Sequence, residues 1–229
     1  DEQRVFLLGV SQYQSSNGGL TFEANLGRGV HADGHSLWID PKDGKHMIIG
    51  VDGGVYTTYD RGGRWDHLNT LALGQFYHVA ISPKYPYYVY GGLQDNGTWG
   101  GPSMSLSGSG PVNEDWLSVG GGDGFMCRVD PNDPDLVYST SQGGAMRRRN
   151  MKTGEQASIR PARVEGAPAI RFNWNTPFIL SNANSRVFYA GGNYVLRSMD
   201  RGNDLQVISP EITLTKRGSA TALAESPRN

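Results

Sequence analysis

The sequence predicts an all-β fold: a fragment of a β-propeller built of four-stranded antiparallel blades, with its ring incomplete within this chain. Three observations carry this. The stretch Thr58-Tyr59-Asp60-Arg61-Gly62-Gly63-Arg64-Trp65 follows the pattern Ser/Thr-x-Asp-x-Gly-x-x-Trp. It recurs at residues 198–205, with Leu205 for Trp, and at 15–22, with Asn17 for Asp and Phe22 for Trp. In such a turn the Asp bonds backbone N–H groups, the Gly supplies a positive φ, and the aromatic opens the next strand and buries itself between sheets. Second, apolar runs stop at Pro41, Pro83 and Pro131, at about the ~40–50-residue period of propeller blades. Third, 32 Gly and 12 Pro imply many turns and short elements, and the apolar positions alternate or run in fours without a sustained helical period.

In chain order, residues 1–28 read as a partial blade, with the apolar run Val5-Phe6-Leu7-Leu8 and the Asn17 turn. A full blade follows over 31–70: 36–39 alternates and stops at Pro41, 46–50 and 53–58 are the second and third strands, and 65–68 is the fourth. The blade over 75–118 has strands at 77–82 and 88–92 and reaches its third through Gln94–Trp99, with a Ser/Gly/Pro-rich insertion at 100–111 read as an exposed loop. The next, 120–160, holds 125–129, 136–139 and 143–146, and its turn at 150–154 has lost the Asp but keeps Gly154. The last full blade, 171–209, runs through 177–181 and 186–191 to the Asp200 turn, and 220–229 reads as the start of a further blade. Both ends fall inside the repeat, so the remaining blades are expected on a longer parent chain.

Composition excludes several classes. The formal net charge is −1, and Arg147-Arg148-Arg149 is the one cationic run, read as a solvated strand face, so no nucleic-acid partner is expected. No apolar stretch approaches the roughly 18 residues of a membrane span. Cys127 lies in the apolar run Phe125-Met126-Cys127 and is expected to be a packed thiol.

In a blade of strands A to D, the D–A and B–C connections lie on one face and the A–B and C–D turns on the other. The Asp-carrying turns are C–D turns, so Asn17, Asp60, Trp65 and Asp200 are assigned structural roles. The unusual polar residues all fall on the opposite face. His31, Asp33 and His35, then Gln75, Tyr77 and His78, then Asp123, then Arg171, Asn173, Trp174 and Asn175 directly precede first strands. Asp52, Gln94, Asp95, Asn96 and Gln142 lie between second and third strands. Asp33, Asp52, Asp95 and Asp123 are the candidate catalytic carboxylates, and the His, Gln, Tyr, Asn, Arg and Trp members are candidate ligand contacts. Each also has a plainer reading. Asp or Asn beside Gly closes its own turn, His78 at the head of a strand can be a hydrogen-bonded packing residue, and Trp174 and Tyr77 can pack blade on blade. His31, Asp33 and His35 alternate, and on an extended segment would point one way. With no further ligand identified, no metal and no cofactor is assigned.

The segments HADGHSLWIDP, VDGGVYTTYDRGGRW, GQFYHVAISP, VYGGLQDNGTW, GGGDGF, RFNWNTPF and YAGGNYVLRSMDRG together resemble the Asp-box (BNR-type) repeat propellers, in particular the sortilin-type propeller domain. The likeness is nearest to bacterial secreted proteins of that group described as glycosyl hydrolases by similarity. It covers the chain from about Val5 to Pro227 and implies a multi-bladed propeller, secreted or periplasmic, with any export signal preceding this sequence. The Asp-box itself is shared by sialidases, xyloglucanases and sortilins. Neither the arginine triad arrangement of the first nor a segment matching the catalytic carboxylates of the second is present.

Two functions fit. One is a binding propeller holding a saccharide or peptide by aromatic stacking and amide hydrogen bonds on the shared face. The other is a glycoside hydrolase with two carboxylates across that face, one protonated as acid and one acting as nucleophile or base. Carboxylates tied into their own surroundings favour binding; a pair about 5–10 Å apart facing solvent favours hydrolysis.

Overall fold

The computed structural model describes residues 2–71, 73–162 and 169–227. The chain divides into two compact units, residues 1–73 and 74–229. Among the described residues no helix is long and apolar enough to cross a membrane.

The first unit holds a two-stranded hairpin, β1 (Val5–Leu7) and β2 (Tyr13–Ser15), and one four-stranded sheet. That sheet is β3 (Gly34–Ile39), β4 (Met47–Val51), β5 (Gly54–Thr58) and β6 (Asp66–His67), paired antiparallel in sequence order. Alternation decides the burial: Met47, Ile49 and Val51 of β4 point into a core completed by Leu26, Tyr56 and Trp65.

The second unit holds three more meanders of the same kind. They are β7 (Phe76–Ile81), β8 (Tyr88–Leu93), β9 (Gly97–Pro102) and β10 (Leu117–Gly120); β11 (Cys127–Val129), β12 (Leu136–Ser141), β13 (Ala145–Asn150) and β14 (Gln156–Ser158); and β15 (Phe178–Leu180), β16 (Phe188–Gly191), β17 (Val195–Ser198) and β18 (Gln206–Val207). The chain is therefore all-β, with four-stranded antiparallel propeller blades. In this unit the core lies between successive blades. Tyr90, Val119, Cys127 and Val137 join the first two, and Tyr138, Met146, Phe178, Phe188 and Leu196 join the last two. Burial pushes the Cys127 thiol up to about 11, which fits a packed, unreactive sulfur.

The repeated turns share a hydrogen-bond scheme with graded departures. At Asp60, the Thr58 hydroxyl accepts the N–H groups of Asp60 (3.3 Å) and Gly62 (3.1 Å), while Asp60 Oδ1 accepts the Arg64 N–H at 2.9 Å. At Asn17 the same bonds appear with Ser15 and Thr21, yet Phe22 stays 38% exposed. At Asp200, Ser198 keeps its part, but the carboxylate turns to Asn203 Nδ2 and to Arg186. The turn at 150–154, read as having lost the Asp pattern, closes differently: Asn150 Oδ1 accepts the N–H groups of Lys152 and Thr153, and Gly154 N–H bonds the Asn150 carbonyl.

Three expectations are corrected. The insertion read at 100–111 begins later, because β9 runs through Pro102. Residues 220–227 form no strand: a first strand needs a second to pair with, and this segment is instead pinned by Glu225 to the Ser181 hydroxyl and Asn182 N–H. Residues 228–229 of that expected blade lie outside the described residues. The Arg147-Arg148-Arg149 run is half-buried rather than solvated. Arg149 donates to the Ser118 carbonyl of β10 and Arg148 to the Arg201 carbonyl beyond β17, so two of the three arginines bolt neighbouring blades together.

Candidate functional site

In the second unit, the loops before first strands and between second and third strands meet around Asp123. Asp123 ends the glycine run joining β10 to β11 and is 6% exposed. Its Oδ1 accepts the Asp95 N–H from the β8–β9 turn at 3.1 Å, and its Oδ2 accepts the Trp174 Nε1–H from the loop before β15 at 3.2 Å. One carboxylate thus ties together loops of three successive blades. Two close backbone approaches make this possible. Gly97 N–H bonds the Gly122 carbonyl at 2.8 Å, and a Cβ on Gly124 would stand 2.1 Å from the Gly97 carbonyl oxygen. The glycines here are a packing requirement, since any side chain would drive these loops apart.

Around this hub lie further candidate residues. The Tyr77 hydroxyl donates to Gln94 Oε1, and the Tyr77 ring leans on Phe125 at 4.8 Å. Burial, together with the charges of Asp123 and Asp95, pushes the Tyr77 phenol up. His78 meets Asn175 at 3.4 Å across 97 residues of sequence, and burial pulls the imidazole below its ordinary value. Gln142 lies over Gly122, and Gly143 N–H bonds the Trp174 carbonyl at 3.1 Å. Trp174 remains 61% exposed, so its ring presents a face to solvent while its N–H is anchored. The remaining candidates are more local. Asn96 donates to the Gln94 carbonyl, Asn173 caps the Asn175 N–H, Arg171 pairs with Glu211, and Gln75 offers its carbonyl to the Gln94 N–H. Asn193, buried at 0%, brackets residue 171 by accepting its N–H at 2.7 Å and donating to its carbonyl at 2.9 Å.

In the first unit, His31, Asp33, His35 and Asp52 also gather. His35 Nε2 meets Asp52 Oδ1, and Asp52 N–H bonds the Asp33 carbonyl at 3.3 Å. His31 packs over Gly53, where a Cβ would clash at 2.5 Å. Asp33 takes φ 62°, which breaks the extended run that would have aimed the three side chains one way. Among the described residues no group of three His, Cys, Asp or Glu side chains is placed to hold a metal ion.

Two concavities lie beside the Asp60 and Asp200 turns. In the first unit, a cleft of about 650 Å³ is lined by Tyr59, Asp60 and Arg61 with Arg4, Arg28 and Lys45. In the second, one of about 200 Å³ is lined by Asp200 and Arg201 with Asp133, Arg148 and Glu155. Turn residues given purely structural roles therefore also wall surface clefts. The cations of the larger cleft come from four separate segments, so no run in the sequence could have signalled them.

No protein-family model matches the chain, and no curated protein sequence matches it significantly. Solved structures are similar at low identity. YCF48 bound to D1 peptide shares 16% identity at a TM-score of 0.40, over 90% of this chain and 79% of that one. A GH74 xyloglucanase from Xanthomonas campestris shares 12% at 0.37, over 94% and 36%. An ancestral GH74 enzyme shares 13% at 0.40, over 91% and 30%. The chain thus spans well under two thirds of the length of either GH74 protein.

Proposed function

We propose that this chain is part of an Asp-box-type propeller, exported from the cytoplasm, whose D–A and B–C loops bind a saccharide. The observation that carries the reading is the Asp123 hub. It spends both carboxylate oxygens on positioning the Asp95 turn and the Trp174 ring, and leaves that ring 61% exposed beside Asn175. An anchored indole flanked by amide side chains suits a sugar, whose apolar face stacks while its hydroxyls pair with amides. Peptide capture by strand addition needs an open run of main-chain donors and acceptors. This rim is made of turns, and the glycine-loop N–H groups of Gly97 and Gly124 are already paired with neighbouring carbonyls. A hydrolytic role is disfavoured because Asp123 is buried and doubly hydrogen-bonded, and Asp52 is engaged by His35.

The test is a panel of neutral oligosaccharides, with extended peptides as a second arm, titrated against the protein and its Trp174→Ala variant. Saccharide binding that weakens about tenfold, corresponding to ~1.4 kcal/mol, in the variant is expected. Binding of peptides alone, or saccharide binding indifferent to Trp174, would overturn the reading.

A further inference from the structure

The larger cleft of the first unit has no part in the site just described. Its walls bring Arg4, Arg28, Lys45 and Arg61 together, against Asp60 as the one carboxylate among its lining residues. Asp60 does not serve as their counter-charge. It accepts the Arg64 N–H and the Thr58 hydroxyl, which hold its carboxyl below the usual range and keep it bound to its own turn. Among the described residues, Arg28, Lys45 and Arg61 form no ion pair with any carboxylate. Like charges gathered around one concavity repel each other, and an entering anion relieves the repulsion.

Arg61 is also held in place rather than merely nearby. Arg61 N–H bonds the Lys45 carbonyl at 2.9 Å, and Arg61 Nε reaches the Gly44 carbonyl at 3.4 Å. Arg61 sits at φ 67°, a conformation that a non-glycine residue adopts at a cost. Beside them Tyr59 is 67% exposed, its ring braced by stacking on His46 at 4.5 Å and 10°. The cleft therefore joins excess positive charge to a fixed aromatic platform.

We infer that this cleft is a second, separate binding site, for an acidic saccharide bearing carboxylate or sulfate groups. The cations take the anionic substituents and Tyr59 stacks on the pyranose face. An acidic peptide would satisfy the charge alone and makes no use of the Tyr59 platform.

The experiment titrates the full chain with polygalacturonate, dextran sulfate, uncharged dextran and polyglutamate, at low and at ~0.15 M salt. The variants are Arg28→Glu/Lys45→Glu, both residues being exposed, and Tyr59→Ala; a thermal melt of each verifies folding. At least one acidic glycan should bind, uncharged dextran should not, and the double charge reversal should weaken binding by about tenfold or more. Tyr59→Ala should weaken glycan binding several-fold and leave any polyglutamate binding unchanged. Preference for polygalacturonate assigns carboxylate, and preference for dextran sulfate assigns the sulfate ester. Failure of both glycans to bind, indifference to the charge reversal, or polyglutamate binding as tight as the glycans would overturn the inference. Trp174→Ala should leave acidic-glycan binding intact, so this site and the neutral-saccharide site fail or stand separately.

Discussion

Replacing Trp65 by alanine tests how the repeated turn supports the first unit. Trp65 is 9% exposed and packs with Leu26, Met47, Ile49 and Tyr56. Its Nε1–H donates to the Leu26 carbonyl at 2.6 Å, which pins an irregular segment against the sheet. Removing a buried indole costs about 3–5 kcal/mol in lost burial and residual cavity. About 1 kcal/mol of that belongs to the Leu26 carbonyl, since Leu26 is buried at 0% and no donor replaces the indole. Trp65→Phe keeps most of the ring and should cost only ~1–2 kcal/mol, mainly the unpaired carbonyl. Urea melts followed by far-UV circular dichroism measure this without relying on Trp65 fluorescence. With a slope of ~2–3 kcal/mol/M, the alanine variant should lose ~1–2 M in its midpoint. Limited proteolysis should then show new cuts within residues 1–73. An alanine variant within ~1 kcal/mol of the parent would refute the reasoning, because it would mean the turn aromatic does not hold the core.

Other consequences follow from single residues. The Arg64 N–H and Thr58 hydroxyl depress the Asp60 carboxyl. Its contribution to stability is therefore present above the unfolded value near ~3.9 and lost as pH falls through the lower folded value. Acid melts of Asp60→Asn should show a smaller loss of stability below about pH 4 than the parent does. Gly124→Ala places a methyl 2.1 Å from the Gly97 carbonyl oxygen. It should cost at least ~1–3 kcal/mol in a thermal melt and shift the Asp95 and Trp174 resonances, whereas Gly108→Ala, with open space around it, should do neither. Burial pulls His78 below its ordinary ~6.5, so its ring should titrate by NMR below that value, and neutral His78 should favour folding increasingly as pH rises from the lowered folded value towards ~6.5. A His78 titration at or above that of a free imidazole would contradict the packing of the His78–Asn175 contact.

The sequence by itself determined the all-β class, the blade grammar and most strand positions, because alternation, terminal prolines and repeated Asp turns are local signals. Trp65 could be read as a core aromatic from its place at the end of the repeated turn, and Cys127 as a packed thiol from the apolar run Phe125-Met126-Cys127. The sequence also grouped Tyr77, Asp95, Asp123 and Trp174 on one face, though Tyr77 lies within β7 rather than ahead of it. What it left open was their roles. Whether Asp123 is an acid or an anchor depends on donors supplied 28 and 51 residues away, by Asp95 N–H and Trp174 Nε1–H. The arginine run looked solvated because sequence carries no record of which neighbour a strand faces, and only blade packing brings Arg149 to the Ser118 carbonyl. The last segment matched a strand pattern yet is none, since pairing is a property of two segments and no second one follows within the described chain. The basic cleft was wholly invisible in one dimension. Arg4, Arg28, Lys45 and Arg61 are separated by 16 to 24 residues of sequence, and only the folding of the hairpin and its neighbouring blade concentrates their charge.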